Sequence, residues 1–518
     1  MLNKSMRRWL VPTLVLISMA PLGCRKSSTA PVAERSPREA AKQPNAAPQT
    51  SDLALRQAVE SELKKDKHLD HGNIHVSASD GIVELTGTVD NALSLQRATR
   101  VAEVVRGVRA VSNRIEVDTP KRPDADIEHD VQKSLRYVAA TAKMPITVKA
   151  QNGVPQLTGT VRSWQEQQLA ERVAAGVRGV RFVQNDLTVK RTPNRDAASI
   201  AADAKSRLAW DALVEHDPLE VSVKDQRVIL SGRVGSLAEK RRAIADAWVD
   251  GVQGVDASEV TVKPSERPNP NIRTGEPKTD EQVAKAIKDA AFYDPRVRSF
   301  NFGVMVADGV ATLAGTVETL QAKQAAESLA RNTVGVRDVQ NHLVAKSQQP
   351  LSDQLLQNRV EEALVFDPLT DARDIHLAVK DGQVTLAGSV GTFFESAEAF
   401  DIASRTAGVT KIVNQLQVRD QVTPYVYSLW LDPYGPFVEE WYLIDRQTPR
   451  SDTDIKQRIA AEFSWSPFIF PENVQVDVHN GKATLTGTVH SSRERSAATV
   501  AALEAGALSV DNRLKATL

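Results

Sequence analysis

The feature that most constrains this 518-residue chain is a string, Leu-x-Gly-x-Val, that occurs six times. The glycines of the six copies are Gly87, Gly159, Gly232, Gly315, Gly388 and Gly487. A second string follows each copy at a constant distance, as Gly107 and Asn113 follow the first, and only the third copy lacks its asparagine. Because the two strings keep their offset along the chain, the sequence predicts tandem copies of one small domain.

The first copy shows what that domain contains. Apolar residues recur at helical spacing, then alternate in two runs separated by Asp80-Gly81, a hairpin turn signal. The elements predicted are a helix over 55–63, strands over 74–78 and 83–89, a second helix over 95–105 and a last strand over 111–117. The fold class is therefore α+β, with six small αββαβ units in which two helices cover a sheet.

Two copies depart from the pattern. The third has Asp225-Gln226 at the hairpin turn and an extra residue within residues 251–254. The second has Pro155 in its middle strand, which removes an amide and predicts that the strand is an edge at that point. In every copy the glycine inside the middle strand predicts either a bulge or a close crossing by a helix.

The paired glycine strings, with the αββαβ order, resemble the BON domain, and the resemblance covers nearly all of Asp52 to Leu518. BON domains occur in osmotically inducible periplasmic proteins and outer-membrane lipoproteins. The resemblance implies a binding module that engages phospholipid surfaces, cell wall or other envelope proteins and has no catalytic residues.

The N-terminus has the features of an export signal. Lys4, Arg7 and Arg8 precede an apolar run over 10–19, which is short for a membrane span. The lone cysteine, Cys24, follows small and apolar residues and resembles the lipidated cysteine of bacterial lipoproteins. We expect a signal peptide over 1–23 and a disordered tether over 24–50, with a lipid on Cys24 anchoring the protein to the outer membrane in the periplasm. The alternative is an ordinary secretory signal with an incidental cysteine.

Short polar links that contain proline separate most copies, which favours independent domains arranged as beads on a string. This predicts protease cuts near residues 120, 193, 270 and 348. The predicted domain boundaries are 51–118, 124–190, 196–263, 278–346, 350–418 and 451–518.

An aromatic segment over 419–450 separates the last two copies, in a chain whose aromatic content is only 5%. Its rings belong to Tyr425, Tyr427, Trp430, Tyr434, Phe437, Trp441 and Tyr442. Three interpretations stay open. The segment packs on the sixth domain, forms a partner-binding hot spot, or inserts into a membrane interface. Its acidity disfavours the membrane.

The sequence contains few candidate catalytic or metal-binding residues. His68, His71 and His75 have spacing that zinc tolerates, but they occur in one copy only, so a surface loop is favoured and no metal or cofactor is predicted. Paired acids such as Glu361-Glu362 are interpreted as a solvated helix face. The chain has 65 lysine and arginine residues together and 65 aspartate and glutamate residues together. The net charge is therefore zero, which gives no excess of positive charge to attract nucleic acid. We therefore expect no enzyme.

Two functions remain. One is a tethered envelope-integrity protein that binds membrane, cell wall or envelope proteins along its length. The other is a scaffold whose units self-associate, as similar small units do in ring-forming secretion proteins. A change of oligomeric state with concentration would favour the scaffold.

Overall fold

The computed structural model describes residues 51–66, 69, 71–190, 195–214, 218–263, 278–297, 302–347, 350–419, 450–466, 469, 471–489 and 492–516. These residues form six domains with the same order of elements: a first helix, a β-hairpin, a second helix and a third strand.

In domain 1 these are α1 (Asp52–Lys65), β1 (Ile74–Ser79), β2 (Ile82–Val89), α2 (Ala92–Glu103) and β3 (Ala110–Val117); in domain 2, α3 (Asp124–Tyr137), β4 (Ile146–Gln151), β5 (Val154–Val161), α4 (Trp164–Ala175) and β6 (Gln184–Val189). In domain 3 they are α5 (Ala197–Trp210), β7 (Leu219–Lys224), β8 (Arg227–Val234), α6 (Leu237–Ala247) and β9 (Gly254–Val262); in domain 4, α7 (Asp280–Tyr293), β10 (Gly303–Ala307), β11 (Val310–Val317), α8 (Leu320–Arg331) and β12 (Asp338–Ala345). Domain 5 has α9 (Asp353–Phe366), β13 (Ile375–Lys380), β14 (Gln383–Val390), α10 (Phe393–Arg405), β15 (Lys411–Asn414) and β16 (Gln417–Val418); domain 6 has α11 (Asp452–Trp465), β17 (Val474–His479), β18 (Lys482–Val489), α12 (Ser492–Glu504), β19 (Ser509–Asn512) and β20 (Lys515–Ala516).

Each sheet is mixed, with the second strand at its centre. In domain 1, β2 is antiparallel to β1, with Val76 opposite Leu85, and parallel to β3, with Leu85 opposite Asn113. The parallel pair requires a crossover, which α2 provides. Leu85 is fully buried, while the alternate residues of β2 point to the other face, so the helices cover one face of the sheet.

The first helix is fastened to the hairpin turn. The carboxylate of Asp52 accepts hydrogen bonds from the amides of Asp80 and Gly81, at 3.0 and 3.1 Å. The turn has φ of 52° and 75° at these two residues, the left-handed conformation that Asp-Gly favours. The same clamp recurs at Asp124, Asp280 and Asp452.

In five of the six copies, all except that of Gly315, the repeated glycine is required by a close backbone approach and not by a bulge or a crossing helix. Gly87 has φ of 115°, and a Cβ there would lie 1.8 Å from the carbonyl oxygen of Asn73, just before β1. The ladder from Ile74 opposite Gly87 to Ser79 opposite Ile82 is continuous.

The repeated asparagine joins the third strand to the second helix. Asn113 Nδ2 donates to the carbonyl of Leu95 at 3.3 Å, and its Oδ1 accepts from the amide of Ile115 at 2.9 Å. Domain 3 has no such asparagine. Its extra residue appears as a register shift between Ile229 and Ser231 in the pairing of β8 with β9.

β5 is the central strand of its sheet, antiparallel to β4 and parallel to β6, but at Pro155 it is paired on the β4 side only. The prediction that the strand is an edge at that point is therefore confirmed. Pairing with β6 begins at Gln156 opposite Gln184, so the ladder to β6 begins beyond the proline.

The arrangement as beads on a string is wrong, because residues 49–518 form one compact unit. Composition of the links could not reveal this, since links do not decide whether helix ends of different domains dock. No helix among the described residues is long and apolar enough to cross a membrane.

Candidate interdomain interface

Domains 2 and 5 meet through the ends of their helices. Val138, which follows the first helix of domain 2, forms an antiparallel bridge with Thr406, which follows the second helix of domain 5. The amide of Ala139 donates to the Arg405 carbonyl at 3.1 Å, and the amide of Ala407 donates to the Tyr137 carbonyl at 2.8 Å.

The reverse contact exists in the same pair. The amide of Arg178, beyond the second helix of domain 2, donates to the carbonyl of Phe366 at 2.6 Å. Its Nη2 donates to the carbonyls of Asp367 and Thr370, at 2.8 and 3.0 Å. The end of the first helix of each domain therefore contacts the end of the second helix of the other domain. Because the contact is reciprocal, an approximate two-fold axis relates the two domains.

Domains 3 and 4 use the same positions. Asp211 forms a bridge with Thr333, and the amide of Val334 donates to the carbonyl of Trp210 at 2.9 Å. Trp210 is the last residue of the first helix of domain 3, as Phe366 is in domain 5. Val334 lies two residues beyond the C-cap of the second helix of domain 4.

Domains 1 and 6 form the third pair. Arg106 Nη2 donates to the carbonyls of Ser466 and Ile469, at 3.2 and 3.4 Å, which repeats the contact of Arg178. The pairs are thus 1 with 6, 2 with 5 and 3 with 4. The chain folds back on itself at the level of whole domains.

A second type of contact links domains 1, 2 and 3 in a cycle. Leu93 of domain 1 is buried in the core of domain 2, and Ala238 of domain 3 is buried in the core of domain 1. Gln165 Nε2 of domain 2 donates to the carbonyl of Trp248 of domain 3 at 3.0 Å. These three residues hold the same position, the second of the second helix.

The interpretation of Glu361-Glu362 as a solvated helix face is wrong for Glu362, which contacts domain 2. Glu362 accepts hydrogen bonds from Lys133 Nζ, at 2.9 Å, and from the Tyr137 hydroxyl, both in domain 2. Burial acts to raise the pKa of Glu362, but these two hydrogen bonds hold it below its usual value.

Three carboxyl groups are buried in domain 5, beside its interface with domain 2. Asp367, Glu398 and Asp401 surround Arg405, whose guanidinium nitrogens lie 3.3 to 3.9 Å from them. Burial, reinforced by the charge of Glu398, raises the pKa of Asp367 to about 8. Burial also raises the pKa of Asp401 to about 6, although Arg405 opposes it.

A cavity of about 370 Å³ lies where the second helices of domains 1 to 3 converge with α7 and α8 of domain 4. Arg207 lies over the Tyr293 ring at 4.6 Å, and its Nη2 donates to Asp246 Oδ1 at 2.8 Å. Trp164, which lines the cavity, stacks on Trp248 with ring centroids 5.6 Å apart.

The remaining residues predicted from sequence are placed as follows. The six repeat glycines lie in the central strands. Cys24 and the seven aromatic residues from Tyr425 to Tyr442 lie outside the described residues, as does His68. In the described part of the chain, no group of three histidine, cysteine or acidic residues is arranged to hold a metal ion.

Sequence reasoning missed the docking residues. The signal available was an arginine immediately before the glycine of the second string, at Arg106-Gly107 and Arg178-Gly179.

The comparisons with known proteins agree with this architecture. The BON domain family matches residues 51–119, 123–191, 196–264, 279–347, 352–420 and 451–517. The osmotically inducible protein Y of Escherichia coli K12 is 29% identical over 146 residues, which cover 27% of this chain and 73% of that protein. The outer membrane lipoprotein DolP of Haemophilus influenzae is 27% identical over 152 residues, which cover 28% and 78% respectively.

A solved structure of CdsD, a structural protein of the type III secretion system of Chlamydia trachomatis, aligns over 40% of this chain and 92% of that one. Its TM-score of 0.12 and identity of 12% carry no argument. The chain is a tandem-repeat protein built from small α+β domains. It belongs to the BON domain family, with six copies in one polypeptide.

Proposed function

We propose that this chain is a non-enzymatic protein of the bacterial envelope, lipid-anchored at Cys24, that supports envelope integrity or stress tolerance. The observation that carries the proposal is the BON match along six domains, with similarity to an osmotically inducible protein and an outer membrane lipoprotein. Its partners would be phospholipid surfaces, cell wall or other envelope proteins.

The packed arrangement suggests how such a protein would bind. The helix ends are used between domains, and the sheets keep polar faces with solvent-exposed residues, such as His75, Ser77 and Thr88 in domain 1. Six sheet faces on one body would add weak individual contacts into useful avidity.

The anchor is tested by Cys24→Ser in cells, with Ser27→Ala as the matched control. We expect Cys24→Ser to leave the membrane fraction and to lose labelled fatty acid, while Ser27→Ala behaves as wild type. Equal lipid incorporation by both variants would refute the anchor. Co-sedimentation of the purified protein with phospholipid vesicles or with sacculi then distinguishes its ligands.

The self-associating scaffold is the second candidate. The two-fold contacts between domains are self-complementary, but they are already made within one chain, so self-association through them would require two chains to exchange domain partners. Sedimentation velocity over a wide concentration range separates the candidates. A monomer at every concentration contradicts the scaffold.

The aromatic segment over 419–450 remains a proposed recognition site or structural layer. Trp441→Ala should lower the melting temperature if the segment packs on domain 6. It should lower binding to envelope extract at unchanged melting temperature if the segment recognises a partner.

A further inference from the structure

We propose that two buried carboxyl groups of domain 3, those of Asp211 and Asp246, share one proton and thereby make the docking of domain 3 onto domain 4 tighter in acid. Both groups lie at the contact between the two domains. Asp211 forms the bridge with Thr333 of domain 4, and Asp246 lines the cavity together with Tyr293 and Asp294 of domain 4. The family assignment concerns single domains, whereas this device depends on how the domains pack.

The hydrogen bonds of the pair place a proton between the two carboxyl groups. The oxygens of Asp211 accept from the amide of Leu213, at 2.9 Å, and from Arg242 Nε. Asp246 Oδ1 accepts from Arg207 Nη2 at 2.8 Å, whereas no group among the described residues donates to its buried Oδ2. The two carboxyl groups also hydrogen-bond to each other, which is possible only when one of them is protonated. Oδ2 of Asp246 is the oxygen left to carry that proton.

The surroundings of the two groups divide the roles in the same way. Burial, followed by the charge of Asp211, raises the pKa of Asp246 to about 7, although Arg207 and Arg242 oppose the shift. Burial also acts to raise the pKa of Asp211, but Arg242 and the hydrogen bond from Asp246 hold it below its usual value. Asp246 therefore holds the proton, and Asp211 holds the negative charge.

The charges around the pair come from four domains and balance one another. The ring of Tyr293, 4.6 Å from the Arg207 guanidinium, adds no charge, because burial raises its pKa. Six arginines face four further acids, or six acids once Asp211 and Asp246 are both ionised. Burial and the contact with Asp211, rather than an excess of negative charge, therefore hold the proton. The groups counted line the cavity or pair with its lining: Arg100, Glu103, Glu171, Arg172, Arg207, Glu239, Arg241, Arg242, Asp294 and Arg296.

The shared proton links docking to pH. When domain 3 leaves domain 4, water reaches Asp246 and its pKa returns toward the ordinary value of 3.8. Between that value and about 7, the docked state binds a proton that the undocked state lacks. Docking therefore weakens by up to ~10-fold per pH unit as the pH rises through this window, and it levels off above it. The contact is tightest in acid and loosest above neutral pH.

The experiment follows two amides whose hydrogen bonds cross the contact. The amide of Ala212 donates to the Asn332 carbonyl at 2.8 Å, and the amide of Val334 donates to the Trp210 carbonyl at 2.9 Å. Hydrogen exchange of the full chain, corrected for the intrinsic effect of pH, gives the equilibrium constant for opening the contact. We expect this constant to be at least ~10-fold larger at pH 8 than at pH 5. Equal constants at the two pH values overturn the proposal.

Asp246→Asn tests which group holds the proton. The asparagine amide donates to Asp211 as the protonated acid does, and its oxygen accepts from Arg207, but it does not titrate. We expect this variant to open as rarely at pH 8 as the wild type does at pH 5. Asp225→Asn is the matched control, an exposed turn residue of domain 3 whose position in domain 2 is held by Asn152, and it should keep the wild-type pH dependence.

A second variant separates this pair from the buried carboxyl groups of domain 5. Asp367→Asn removes the titrating group beside the contact of domains 2 and 5, and the pH dependence at Ala212 and Val334 should persist in it. Loss of that dependence in Asp367→Asn, or its persistence in Asp246→Asn, overturns the assignment to Asp211 and Asp246. The first of these outcomes decides the question even if Asp246→Asn does not fold.

Discussion

At the scale of single residues, the glycine inside the middle strand has a steric cause. A Cβ at Gly87 would overlap the Asn73 carbonyl oxygen, and any other residue would be strained at the φ of 115° that Gly87 adopts. We expect Gly87→Ala to destabilise the first domain by about 3 kcal/mol or more, because both clash and strain must be relieved by backbone movement. Gly303→Ala, a strand glycine whose nearest neighbour is 3.5 Å from the added Cβ, should change stability by less than ~1 kcal/mol. Hydrogen exchange of the two domains measures both effects.

Also at this scale, the buried carboxyl of Asp367 predicts a pH dependence. Its pKa rises from 3.8 to about 8 on folding, so the folded state binds more protons and stability falls as pH rises between these values. Asp367→Asn cannot ionise and should be more stable than wild type at pH 8 by about 1–3 kcal/mol. Asp381→Asn is the control, since asparagine holds the same turn position at Asn152. Urea unfolding at pH 5 and pH 8 measures the difference. An equal slope for wild type and Asp367→Asn contradicts the prediction.

At the scale of elements, the sequence predicts helices, strands and turns well because each carries a period or a turn residue. The periodicity of Leu55, Val59 and Leu63 and the Asp80-Gly81 turn were sufficient for domain 1. The bridge between Val138 and Thr406 was not predictable, because it uses backbone groups that leave no pattern of side chains. The cavity was missed for a related reason, since its lining comes from four separate domains.

Among the docking contacts, Arg178 offers the clearest test. Arg178→Ala removes two hydrogen bonds to domain 5 and should weaken the pairing by about 1–3 kcal/mol. Arg181→Ala, an exposed arginine three residues later, should not affect it. The measurement is hydrogen exchange at residues 366–370. Equal protection in the two variants would show that the side chain does not hold the pair together.

At the scale of the whole molecule, three domain pairs and a cyclic contact make one body. We expect a protease that cuts near residue 120, 193, 270 or 348 to leave the fragments associated, because the domain contacts remain when the links are cut. Size-exclusion chromatography of the nicked protein should give the elution volume of the intact chain, and the fragments should separate only in denaturant. Separate fragments in native buffer would restore the beads-on-a-string interpretation.

The nesting of the pairs also fixes an order of assembly during synthesis. Domains 3 and 4 are adjacent in sequence, so their pair can close before domain 5 is available, whether the domains become free to fold at the ribosome or after crossing a membrane. Domain 2 must then wait for domain 5, and domain 1 keeps its docking surface, including Arg106, open until domain 6 is available. The first domain to emerge is therefore the last to find its partner, and a chain that ends early leaves its oldest domain exposed.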